Sequence, residues 1–429
     1  MASTHIDRGQ ELMAAGRALP GGPAWLTLLF AGRSAALLDR IDSGLEAGSI
    51  DAILPDGTRR LLGGRAPGFD AQVHLRSWRG LLRVATAGSV GLYQGWEAGD
   101  WESPDPVALF ALFMANADAL GDTARPHGPW RWLGRALNLM RRNSRAGARR
   151  NIHAHYDLGN DFYAAWLDPT MAYSSAIFED LPGPDPLQQR PDALERAQLA
   201  KIGTVVNRAA VPPGGSVLEI GCGWGAQSLA LAAGDVAVLG ISLSDQQLAF
   251  CRDRAGVHGR MIEFRKQDYR DVTGQFDAIV SVEMVEAVGQ KYWPDFFDCL
   301  DRCLKPGGRA VLQYITIRDE LFESYAQSAD FIQTYIFSGG MLVSEAAFRR
   351  LAAERNLTWT DPVDFGRHYA ETLLLWRRRF DAAAAEQRLP AGFDARFARL
   401  WQFYLMYCEG GFRGGGIDVR QVTLVKPLV

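Results

Sequence analysis

The stretch of this chain whose residue types could most plainly do chemistry is Val217–Gly225, VLEIGCGWG. A short apolar run ends at Ile220, and Gly221, Gly223 and Gly225 alternate behind it. Glycines at the carboxyl end of a strand let a ligand approach the backbone closely. That loop alone could belong to a dinucleotide fold, but the GxGxxG spacing and the acidic residue about 20 positions on are missing. Further along, FDAIVSVEMVEAVG (Phe276–Gly289) places Glu283 and Glu286 just past another apolar run. Ligands gather there in parallel α/β sheets, so Glu286 is the leading acid–base candidate and Glu283 its rival. One of the two could be a structural carboxylate at a helix start. His153, His155 and His368 share no element at ligand spacing, so no metal is expected.

The order of motifs is specific. VLEIGCGWG is followed by GISLSDQQ (Gly240–Gln247), by FDAIVSVEMVEAVG and by LKPGGRAVL (Leu304–Leu312). This order resembles the class I methyltransferases that use S-adenosylmethionine. The resemblance implies that Gly221 and Gly223 pass under the methionine part of the cofactor and that Ser242 and Gln247 meet its ribose. Asp268, in KQDY, would accept from the adenine amino group, or would simply cap a loop. Trp224 could serve only packing.

Upstream, HAHYDLGNDFYAAWLDPTMAYSSAIF (His153–Phe178) narrows the resemblance. With FIQTYIFSGG (Phe331–Gly340), HYAETLLLW (His368–Trp376) and YCEGGFRGGGIDVRQV (Tyr407–Val422), it is similar to the cyclopropane-fatty-acyl-phospholipid synthase family. The similarity is dense from about 145 to 429 and fainter before. It implies transfer of a methyl group to the cis double bond of a phospholipid acyl chain. A cation then forms, and loss of a proton from the delivered methyl closes a ring; loss from the chain gives a branch. The resemblance implies bicarbonate as the base, held by a Cys, a Glu, a His and a Tyr. Here the Glu is Glu286 and the Tyr is Tyr369, whose ring face could also lower the cation's energy. The Cys position is Ser175 and the His position is Gln313. Ser and Gln still donate hydrogen bonds, so the anion site is retained in altered form or replaced by Glu286 or water. Tyr173 and Ser174 would meet the cofactor.

These residues must be positioned by elements. Apolar runs and helical stretches alternate from Pro212 on, which predicts an α/β fold. The alternation predicts a mostly parallel sheet with helices on both faces, and the resemblance makes this the Rossmann-like, seven-stranded class I methyltransferase fold. A smaller mixed α+β domain precedes it. The expected division is an accessory lipid-binding or dimerising domain at 1–117, a basic Trp-containing linker at 118–150 and a catalytic domain at 151–429. Short strands are predicted at Ser49–Leu54, Ala71–Leu75 and Leu81–Thr86 in the first. In the linker, Trp130 and Trp132 are interleaved with Arg131, Arg135, Arg141 and Arg142, a pattern of interfacial helices or of a solvated connector. Phe331, Tyr335, Ile336, Phe337, Met341 and Leu342 would suit an acyl tunnel or a helical core.

At 429 residues the chain is long enough for two or three domains. Its net charge of −3 excludes a polycation and gives no nucleic-acid signal. Five cysteines without a CxxC pair read as buried thiols rather than a disulfide scaffold. No apolar run reaches the roughly 20 residues that cross a bilayer, and no leader pattern opens the sequence. The expectation is a cytoplasmic enzyme peripherally attached to a phospholipid bilayer, with a possible homodimer.

Overall fold

The computed structural model describes residues 8–14, 31–121, 158–181 and 192–428. The basic segment from residue 122 on, with its tryptophans, and His153 and His155 lie outside them. Two compact units divide the chain, and the division does not follow three contiguous segments. One unit gathers residues 1–141, 320–338 and 391–417; the other gathers 142–319, 339–390 and 418–429.

The first unit holds a four-stranded sheet of order β2-β1-β3-β4. Its strands are β1 (Ser49–Ile53), β2 (Arg59–Gly63), β3 (Asp70–Leu75) and β4 (Trp101–Glu102). β1 pairs antiparallel with β2 and parallel with β3. The expected Pro55-Asp56-Gly57 turn joins β1 to β2, with Gly57 at φ 85° and the Asp56 carboxylate accepting from Thr58 N at 2.9 Å. Leu81–Thr86 is not a strand. It lies inside the helix Trp78–Glu97, which Ser77 caps by accepting from Arg79 N. Short apolar runs do not distinguish strand from buried helix, and the N-cap decides here.

The helix Ala395–Arg413 packs on Pro106–Ala115 at close range in this unit. A Cβ on Gly410 would stand 2.4 Å from Phe110 Cβ, so only glycine fits. Phe331 and Tyr335 are buried on Tyr93, with ring centroids 5.1 and 4.7 Å away, and Phe331 meets Phe403 at 4.8 Å. This part of the aromatic run is core, an edge-rich cluster of the kind that stabilises interiors.

The second unit is built on a seven-stranded sheet of order β10-β11-β9-β8-β5-β6-β7. Its strands are β5 (Ser216–Ile220), β6 (Ala237–Ser242), β7 (Ile262–Lys266), β8 (Phe276–Val282), β9 (Leu304–Ile317), β10 (Thr358–Asp364) and β11 (Ile417–Val425). β7, β6, β5, β8 and β9 run parallel, and β10 runs antiparallel to β11. Val217, Val238, Ala278, Val280 and Val311 fill the space between sheet and helices. This is the doubly wound, mostly parallel arrangement that the sequence predicts. Cys222, Cys251, Cys299 and Cys303 are buried free thiols, as expected, and Cys408 is partly buried. Among the described residues no helix is long and apolar enough to cross a membrane.

Candidate active site

Parallel strands aim their carboxyl ends at one edge of the sheet, and a cavity opens there. Its lining includes Tyr173, Ser174, Gly221, Gly223, Ser242, Gln247, Asp268 and Glu283. Every residue expected to meet the cofactor is therefore on its wall. Gly221 and Gly223 leave β5 at φ 85° and 50°, in the left-handed region that other residues enter at a cost. The two glycines differ in what a side chain would meet. A Cβ on Gly221 would stand 2.7 Å from Met284 Cγ, whereas one on Gly223 would meet nothing within 4 Å. Gly223 thus borders open space that a ligand can use.

At the end of β6, Ser242 Oγ donates to Gln247 Oε1 at 3.0 Å, and Ser244 Oγ caps the helix Asp245–Ala255 by accepting from Gln247 N. These side chains offer the paired donors and acceptors that a diol needs. Asp268, just past β7, is buried and clamped. Arg270 donates Nε to Oδ1 at 2.8 Å and Nη2 to Oδ2 at 2.6 Å, while Arg270 N also bonds Oδ1. It is both a loop cap and a cavity-lining acceptor. Trp224 packs on Tyr163 at 4.9 Å and donates to Asn160 Oδ1 at 2.8 Å.

Two further residues of this wall were given no site role from the sequence. Lys201, on the helix Ala193–Ala209, is buried and donates to Ser174 Oγ at 2.8 Å. Burial depresses its pKa to about 8, against the pull of Glu283, Asp168 and Glu219. Glu219 on β5 is also buried and accepts a very short hydrogen bond from Ser228 Oγ. Desolvation raises its pKa to about 8, so it is protonated at neutral pH. The signals were present: Lys201 shares the face of Leu194, Ala197, Ile202 and Val205, and Glu219 sits inside an apolar strand.

The acid–base end differs from the expected grouping. Ser175, Gln313 and Tyr369 converge on Glu283, not on Glu286. Ser175 N donates to Glu283 Oε1 at 2.8 Å, and Gln313 Nε2 donates to the same oxygen at 2.7 Å. Tyr369 OH donates to Oε2 at 2.7 Å. The sheet register explains the first step: Val282 on β8 pairs with Gln313 on β9. Glu283 then leaves the strand at φ 48°, which turns its side chain toward those donors. Ser175 contributes its backbone, since its own hydroxyl donates to Ala176 O at 3.1 Å. Tyr369 is placed by the helix Gly366–Ala385, which the segment around Ser175 grips twice. Ala176 N donates to Thr372 Oγ1 at 3.1 Å, and Phe178 N donates to His368 Nδ1 at 3.0 Å.

Glu286 follows in a short 3-10 turn, Val285–Ala287, and faces the β9 backbone. Its Oε1 accepts from Ile315 N at 2.5 Å, and its buried Oε2 has no hydrogen-bond partner among the described residues. Desolvation, with the Glu283 charge nearby, pushes its pKa up to about 8. Glu283 is also raised by desolvation, but three donors and Lys201 oppose that rise. The two carboxyls thus sit in different settings: burial pushes both up, but three donors and Lys201 hold Glu283 back, whereas Glu286 has a single backbone donor from Ile315. Behind them stands an aromatic wall, with Tyr369 6.0 Å and Tyr173 5.3 Å from Trp376.

The cavity fits S-adenosylmethionine: a glycine loop with open space above Gly223, a polar diol end at Ser242 and Gln247, and a buried acceptor at Asp268. When bound, that group supplies an electrophilic methyl on a sulfonium.

Comparison with known proteins agrees with this geometry. The family model described as mycolic acid cyclopropane synthetase matches residues 143–422. A tuberculostearic acid methyltransferase of Mycobacterium tuberculosis is 38% identical over 352 residues, covering 80% of this chain and 80% of that one. A cyclopropane-fatty-acyl-phospholipid synthase of Escherichia coli is 33% identical over 369 residues, covering 85% of this chain and 90% of that one. Among solved structures, a mycolic acid cyclopropane synthase complexed with SAH and CTAB superposes with a TM-score of 0.59 at 32% identity. It covers 65% of this chain and 98% of that one. Coclaurine N-methyltransferase, at 16% identity and a TM-score of 0.59, shares the fold. The chain belongs to the mycolic acid cyclopropane synthetase family and is an S-adenosylmethionine-dependent methyltransferase that modifies lipid acyl chains.

Proposed function

We propose that the enzyme alkylates the cis double bond of an unsaturated acyl chain carried by a membrane phospholipid. The observation that carries this reading is the seating of Glu283, a cavity-lining carboxylate held by Tyr369, Ser175 and Gln313. An amine substrate is its own nucleophile and loses an acidic N–H proton easily. An alkene is a poor nucleophile, and its attack leaves a carbon cation that must shed a C–H proton. Such a site needs fixed negative charge and, close by, electron-rich ring faces, which Glu283 and the Tyr369, Trp376 and Tyr173 cluster supply.

The residues divide the work. Gly223 leaves room for the cofactor, and Ser242, Gln247 and Asp268 hold its polar end. Lys201 fixes Ser174 on the same wall. Exclusion of water by the buried surroundings of Glu283 protects the cation and strengthens every charge interaction around it. The basic, Trp-containing segment at 118–150 supports contact with an anionic bilayer surface, where the substrate resides.

The test is incubation of the purified enzyme with methyl-labelled cofactor and vesicles of phosphatidylglycerol bearing monounsaturated chains, followed by mass spectrometry of the released fatty acids. Addition of one methylene to the alkene, carrying the label that remains after one hydrogen of the methyl is lost, is the expected mass gain. Label that enters only soluble amines, with the acyl chains unchanged, overturns the proposal.

A further inference from the structure

We infer that Glu283 is the base of the reaction, a carboxylate built into the chain that fills a three-donor cradle otherwise suited to a small free anion. The inference rests on the function proposed above and adds to it the identity of the proton acceptor.

The cradle consists of the Ser175 backbone N–H, the Gln313 side-chain amide and the Tyr369 hydroxyl, at 2.8, 2.7 and 2.7 Å from the carboxylate. Each donor is held from behind. The Gln313 amide is oriented because its Oε1 accepts from Gln421 Nε2 at 2.9 Å, which leaves its NH2 facing Glu283. Tyr369 sits on the helix gripped at His368 and Thr372, and Ser175 presents a backbone group. Three fixed donors around one point are an anion site, and here the occupant is covalently part of the protein. The occupant reaches it from a left-handed backbone position, φ 48°, that a glutamate adopts only when its surroundings demand it. Glu283 also lines the cofactor cavity. Glu286 has one backbone donor and an unpartnered oxygen, so it suits a proton holder rather than an acceptor.

The alkene's π pair forms the new bond to the methyl carbon, and the methyl–sulfur pair stays on sulfur as a neutral thioether. The other alkene carbon becomes a cation. The Glu283 carboxylate takes one proton from the delivered methyl, and the electrons of that C–H bond close a three-membered ring. If a hydride first shifts between the two chain carbons, the same proton loss forms an exocyclic methylene. Neither outcome needs an oxidant or reductant. Glu283 then returns its proton to solvent as product leaves.

The experiment compares the wild type with Glu283→Gly and Glu283→Gln in rigorously carbonate-free buffer, before and after adding bicarbonate or formate. Glycine suits the left-handed backbone and empties the cradle, while glutamine keeps it filled with a group that cannot accept the proton. The wild type is expected to be indifferent to carbonate. Glu283→Gly is expected to lose about 10²–10⁴-fold in rate without an added anion and to recover at least tenfold with one. Glu283→Gln should stay inactive in both conditions. A second readout needs no turnover: line broadening of 13C-bicarbonate by Glu283→Gly but not by wild type. Loss of wild-type turnover on carbonate removal, bicarbonate bound by the wild type, or a fully active Glu283→Gly without added anion each overturns the inference. Acyl methylation by the wild type, with carbonate or without it, upholds the proposed function whichever way the base is decided. If Glu283→Gly fails to fold, the wild-type carbonate response and the Glu283→Gln rate still decide the matter.

Discussion

Replacing Gly223 by alanine isolates the cofactor cradle from the fold. Gly223 has φ 50°, and a Cβ built there meets no atom within 4 Å. The protein itself therefore offers no clash, and the stability cost is the left-handed penalty alone, about 1–2 kcal/mol. For a unit of roughly 240 residues that lowers Tm by about 2–8 °C. The methyl enters the space that the ligand needs, so affinity for S-adenosylhomocysteine should fall by at least about tenfold, or about 1.4 kcal/mol. Gly221→Ala is the contrasting variant. Its Cβ would press on Met284 at 2.7 Å, so overpacking adds about 1–3 kcal/mol and the loss of stability is larger. Calorimetric titration with S-adenosylhomocysteine and thermal unfolding of the two variants read the two effects separately. Unchanged affinity in Gly223→Ala, with the modest drop in Tm present, would refute the placement of the cofactor over this loop.

Three other perturbations probe separate parts of the structure. Tyr369→Phe removes one hydrogen bond to the Glu283 carboxylate, worth about 1.5–3 kcal/mol, and should lower kcat by about 10–100-fold with cofactor affinity nearly unchanged; equal losses in both would reassign Tyr369 to cofactor binding. Glu219 ionises near its ordinary 4.5 when unfolded and near about 8 when folded, so between those values the folded chain holds the extra proton and stability falls as pH rises. Denaturant titrations should show the wild type losing stability relative to Glu219→Gln across that window, by at most about 1.4 kcal/mol per pH unit, and a constant difference would disprove the buried neutral carboxyl. Changing Arg141, Arg142, Arg149 and Arg150 together to Gln should weaken co-sedimentation with anionic vesicles at low salt, each charge being worth about 1 kcal/mol at most; equal sedimentation would move the membrane contact to another surface.

What the sequence disclosed follows the range of the interactions involved. The glycine loop was legible because its chemistry is local: Gly221 and Gly223 lie two positions apart in one motif and line one cavity. The alternation of strands and helices was legible for the same reason. Leu81–Thr86 misled because a six-residue apolar run fits either element, and the deciding Ser77 cap lies outside it. The compact units are discontinuous because 320–338 and 391–417 bury their aromatic faces on the N-terminal segment, a long-range choice that no local pattern encodes. Lys201 was readable in principle, as a lone cation on an apolar helical face that must find a buried partner, here the Ser174 hydroxyl.

Glu283 and Glu286 stand three residues apart in the same motif, and residue type does not separate them. Three facts from distant parts of the chain do. The register of β8 on β9 brings Gln313 beside the strand exit; the left-handed turn at 283 aims one carboxylate and not the other; and the helix at 366–385 delivers Tyr369. The same three facts give the substitutions Ser175 and Gln313 a common meaning. Ser175 acts through its backbone N–H, which any residue there supplies, so a thiol side chain is not required. Gln313 has an amide that donates to Glu283 while Gln421 holds its other end, a geometry that serves a carboxylate fixed in place. The departures from the family pattern at 175 and 313 and the carboxylate at 283 therefore form one unit, in which a donor set that could grip a free anion grips a side chain instead.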